Sequence, residues 1–137
     1  MTLVRVLTAG ALVAIGAALP TAGQAAAAVT VPFQIDPAPL GNPNGSFDVP
    51  AIRCAAVVGD RRVTITGGKE GGWGCLLSSP VEWLNLSTGA HGAATLSDGL
   101  NGIPPAVTLD TGAGRVVVMV SSRTGPVTPG FVTFHVP

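Results

Sequence analysis

Hydrophobic residues fall into two regimes along this chain. Residues 6–19 form one apolar run behind Arg5, whereas beyond residue 28 the apolar positions come in short stretches that alternate with polar ones and stop at Gly or Pro. Alternation with a period of two marks a strand with one buried face, because successive side chains leave a pleated backbone on opposite sides. No stretch beyond residue 28 keeps a 3.6-residue apolar period over three turns, so the pattern predicts an all-β body.

The individual strands follow from the breaks. Residues 29–35 predict a first strand in which Pro32, lacking a ladder donor, belongs at a sheet edge or a bulge. DPAPLGNPNG at 36–45 then reads as a crossing loop. Ile52, Cys54, Ala56 and Val58 share one parity, and Gly59, Asp60 and Arg61 turn the chain into residues 62–66, where Val63 and Ile65 alternate with Arg62 and Thr64. These two segments predict a hairpin. Trp73, Cys75 and Leu77 would share one face of the next strand. In residues 81–86, Val81, Trp83 and Asn85 point one way and Glu82, Leu84 and Leu86 the other. A short strand at 93–96 precedes a second long loop, SDGLNGIPP at 97–105. Residues 116–120 form the strongest apolar run beyond residue 28, which predicts a central strand. In the last strand Val132, Phe134 and Val136 face inward and His135 outward. Short strands at this spacing predict a small two-sheet β-sandwich, immunoglobulin-like or a related Greek key, with the long loops crossing between sheets.

The N-terminal regime has a different meaning. A basic start, an apolar run too short and too interrupted for a membrane span, then Pro20, Gly23 and a run of alanines have the layout of a secretory signal. Residues 1–28 are therefore expected to be a cleaved signal peptide and residues 29–137 a single β-sandwich domain. No Cys follows the apolar run to take a lipid, and no second hydrophobic segment offers a membrane span. Cys54 and Cys75, both in the exported part, predict one structural disulfide, either across the core or between adjacent strands, with Trp73 beside the sulfurs. The signal, the Ala, Gly and Val content and the near absence of Lys resemble small exported proteins of high-GC actinobacteria. Some of those have immunoglobulin-like sandwiches, although the two cysteines here stand closer in sequence than the usual immunoglobulin bridge.

Charge narrows the function classes. Seven Lys and Arg balance seven Asp and Glu, and only 10% of the chain is charged. A balanced charge without an extended basic cluster argues against a partner bound through its phosphate backbone, so no nucleic acid is expected. Arg61, Arg62 and Lys69 form the one local basic group, at the hairpin tip and the neighbouring glycine loop, and are candidates for docking an anionic envelope polymer or a protein. Trp83 is the candidate stacking platform if Trp73 is buried by the disulfide. The glycine loop at 67–72 lacks the phosphate-cradling motif, and His91 and His135 lack zinc spacing, so neither cofactor nor metal is expected.

Catalytic signals are weak. His91 with Asp98 and Ser87 or Ser97 has the residue types of a triad but no nucleophile elbow. Asp36, Asp48, Asp60, Asp98 and Asp110 sit at turns, where a carboxylate caps backbone N–H groups, and Glu70 and Glu82 form no rigid pair. Asn44 and Asn85 each begin an N-x-S pattern. The expectation is a secreted, non-catalytic module binding a protein or cell-envelope component. The alternatives are a structural or host-exposed envelope protein without a dedicated ligand and, less favoured, a small extracytoplasmic hydrolase. The sequence leaves the oligomeric state open.

Overall fold

The computed structural model describes residues 16, 27–47, 50–68, 74–123 and 125–137. The signal segment therefore lies almost wholly outside the described residues, as do Trp73, Lys69 and Glu70. Every strand is antiparallel to its neighbours. One four-stranded sheet has the order β1 (Val29–Pro32), β3 (Cys54–Val58), β4 (Val63–Gly67), β7 (Val107–Leu109). A second has the order β10 (Gly130–Val136), β8 (Gly114–Val120), β5 (Pro80–Asn85), β6 (His91–Thr95). A two-stranded ribbon pairs β2 (Ala38–Pro39) with β9 (Val127–Thr128).

The alternating positions become one core. Ala56, Val58, Val63 and Ile65 of the first sheet share a buried cluster with Val81, Val116, Val118, Val120, Val132 and Phe134 of the second. The expected hairpin forms as β3 and β4, closed by the Gly59 N–H donating to the Arg62 carbonyl at 2.9 Å. β8 lies between β10 and β5, as its run of valines predicts. Residues 97–105 carry the chain from β6 in one sheet to β7 in the other.

Two expectations change in detail. The first strand is shorter than residues 29–35: β1 ends at Pro32 on an edge of its sheet, and Ile35 then bridges Phe131 on the edge of the other sheet. There the Gln34 side chain stands in for a strand backbone. Its Oε1 accepts from the Thr133 N–H at 2.8 Å, and its Nε2 donates to the Thr133 carbonyl at 3.2 Å. The second change concerns the strand expected to contain Cys75 and Leu77, since residues 74–79 are irregular. Gly74 and Ser78 have positive φ, the Arg53 N–H is bonded to the Gly74 carbonyl, and Cys75 is buried whereas Leu77 is exposed. The Cys54–Cys75 disulfide forms, with the Cα atoms 4.7 Å apart. It joins the start of β3 to the connection that leads into β5, neither a cross-core link nor a link between adjacent strands.

Candidate functional site

The residues singled out by the sequence are not gathered in one place. Arg61 and Arg62 are exposed on the β3–β4 turn, Arg61 with φ near 60°. Arg62 Nε donates to Asp110 Oδ1 at 2.8 Å, joining the turn to the residue after β7. With both side chains more than two-thirds exposed, that ion pair contributes at most about 1 kcal/mol. Gly67 and Gly68, leading to the glycine loop, stand at the opposite end of β4 from this turn. Trp83 is half-buried on the inner parity of β5 and packs against the core. Its indole lies over its cross-strand partner Gly92, where a Cβ would come within 2.8 Å of the ring.

The triad residues are kept apart by β6. His91 opens that strand, and Asp98 follows its far end, a strand length on the order of 16 Å away. Asp98 Oδ1 accepts from the Leu100 N–H, Ser87 Oγ accepts from the Arg115 N–H, and Ser97 Oγ accepts from the Ala106 N–H. Asp36 works at longer range than a local cap, its Oδ1 accepting from the Cys54 N–H at 2.9 Å. Among the described residues no three His, Cys, Asp or Glu side chains cluster as metal ligands. No helix among them is long and apolar enough to cross a membrane. Of the two N-x-S positions, Asn44 is exposed and Asn85 is fully buried.

A concavity that no motif announced lies at the disulfide end. It has a volume of about 570 Å³ and is lined by Ile52, Leu76, Leu77, Ile103, Pro104 and Pro105, with Cys75 in its wall. Ser79 and Ser122 are the hydroxyl-bearing residues of the lining, and no lining residue among those described is titratable, since Cys75 is held in the disulfide. Two segments outside the strands build it, 74–79 held by the disulfide and 97–105, which includes a 3-10 turn at Leu100–Gly102. In the second, Gly99 has φ +67° and approaches so closely that an added Cβ would lie 2.8 Å from Leu77 Cδ2. Glycine satisfies both demands. Leu77 and Ile103 of the lining remain 60% and 66% exposed, so the rim is apolar as well. The available signal was the presence of Leu100 and Ile103 inside a loop otherwise made of turn formers. No family model, curated protein or solved structure matches this chain.

Proposed function

We propose that this chain is an exported, non-catalytic β-sandwich that binds a protein or cell-envelope component at the apolar hollow between residues 74–79 and 97–105. The hollow carries the reading: a pocket of about 570 Å³ with an apolar lining suits recognition by shape and burial. A hydrolase would need convergent titratable groups, and His91 and Asp98 stand at opposite ends of β6. Export is supported by the apolar run at 6–19 and by the closed disulfide, a bond favoured in oxidising compartments. A Greek key related to the immunoglobulin fold is favoured over the immunoglobulin order itself. Here β1, β3 and β4 lie side by side in one sheet before the chain crosses, whereas immunoglobulin strands A and B are followed at once by strand C in the other sheet.

The test compares retention of solubilised cell-envelope components by the immobilised secreted protein, by a Leu77→Asp/Ile103→Asp variant and by an Arg61→Ala/Arg62→Ala variant. The hollow variant is expected to lose the retained component and the arginine variant to keep it. Equal retention by all three, or loss confined to the arginine variant, would refute the reading.

A further inference from the structure

We propose that the outer edge of β6 pairs with the same edge of a second copy of this chain, so that two antiparallel β6 strands join two sheets into one. The Asn85 N–H donates to the Ala90 carbonyl and the Leu96 N–H to the Ser79 carbonyl, which sets the phase of the β5–β6 ladder. Alternate residues of an antiparallel strand turn their N–H and C=O groups to opposite sides. Gly92 and Ala94 therefore serve β5, while His91, Ala93 and Thr95 present theirs outward. At Ser97 the ladder ends: its N–H is bonded to the Ala106 carbonyl while its own carbonyl accepts from the Ser78 N–H, which closes the open stretch at Thr95.

The other edges are short or partly covered by the chain itself, so each keeps fewer outward residues than β6. In β1, the Phe33 N–H bond to the Cys54 carbonyl leaves Thr30 and Pro32 facing outward, and Pro32 has no donor. β7 is three residues long, with only Thr108 facing outward. On β10, Phe131 is bridged by Ile35 and Thr133 by the Gln34 amide, which leaves His135 facing outward. Natural sheets protect an edge with a charge, a proline, a bulge or a cover. β6, with the sequence HGAAT, has neither a Lys, Arg, Asp or Glu nor a proline, and its register with β5 is unbroken.

The strand is its own complement. A two-fold axis at Ala93 sets Ala93 opposite Ala93 of the second copy, His91 opposite Thr95 and Gly92 opposite Ala94. All three outward residues then fall in hydrogen-bonded pairs. No like charges meet, and β7, the strand of the other sheet that comes near β6, is joined to it by the hydrogen bond at Ser97 beyond the paired stretch. The edge carries no formal charge with which to select a charged peptide, whereas this symmetry favours an identical strand. The inference does not depend on the hollow.

Sedimentation velocity over a dilution series, with hydrogen exchange of the individual amides, tests it. The wild-type mass is expected to double as concentration rises, with slowed exchange at the amides of 91, 93 and 95. Ala93→Lys, which sets like charges at the axis, and Ala93→Pro, which removes the central donor, are expected to stay monomeric. Residue 93 is exposed, so Ala93→Lys carries the test if the proline alters the circular dichroism. A wild-type monomer throughout, or a dimer that survives Ala93→Lys, overturns the proposal. So does a dimer lost in Leu77→Asp/Ile103→Asp but kept in Ala93→Lys, which would place the contact at the hollow. Protection at 91, 93 and 95 that arises only with an added foreign peptide would likewise replace self-pairing by capture of another strand.

Discussion

The Asn85 amide uses its full hydrogen-bonding capacity inside the protein. Nδ2 donates to the carbonyls of Thr111 and Ala113, and Oδ1 accepts from the N–H groups of Ser87 and Thr88. One side chain thus holds the β5–β6 turn against the β7–β8 connection. Asn85→Ala leaves these backbone groups without their partner, at about 1–3 kcal/mol for each that stays buried and unsatisfied. A stability loss of at least about 3 kcal/mol is expected in denaturant unfolding, and a loss below about 1 kcal/mol would contradict the network. Alternation puts Asn85 on one parity with Val81 and Trp83 without saying which face is inner, and the fold buries that parity at Val81 and Asn85. The carbonyls it reaches lie 26 and 28 residues away, so no local pattern could name them. Trp83 shows the same division. Its parity was legible, but its seat over Gly92 needed the β5–β6 register.

Strand elements were readable where both ends of a pairing are close in sequence. The β3–β4 hairpin follows from two alternating runs around a turn, whereas the missing donor of Pro32 left an edge or a bulge open and the fold places β1 at an edge. Cover for the β10 edge was not readable, because Gln34 and Thr133 are 99 residues apart. Gln34→Ala leaves the Thr133 N–H and C=O open on that edge. Increased light scattering at high concentration is expected, with little change in unfolding midpoint since residue 34 is exposed. Scattering unchanged from wild type would show that the amide is not what protects the edge. The segment expected to be a strand around Cys75 became irregular for an identifiable reason. The Arg53–Gly74 hydrogen bond and the disulfide hold it against the start of β3, and its positive-φ residues cannot continue a ladder. That departure from alternation shapes one wall of the hollow.

For the molecule as a whole, the disulfide joins two regions that the sheets alone leave apart, the start of β3 and the crossing into β5. Replacing Cys54 and Cys75 by Ser restores loop freedom to the unfolded chain and is expected to lower stability by about 3 kcal/mol. That is a large share of the roughly 5–15 kcal/mol typical of a domain. Denaturant unfolding of the oxidised protein and the double variant measures it, and equal midpoints and slopes would show that the bridge constrains little. Composition, the period-two pattern and the Cys pair by themselves determined an all-β chain, its inward faces and its one disulfide, because these depend on residue type and near neighbours. Which strands lie at edges, what Asn85 and Gln34 bond to, and the apolar hollow were decided only by the tertiary structure. Each requires segments far apart in sequence to meet, and alternation specifies which face of a strand is buried without specifying what that face or edge will touch.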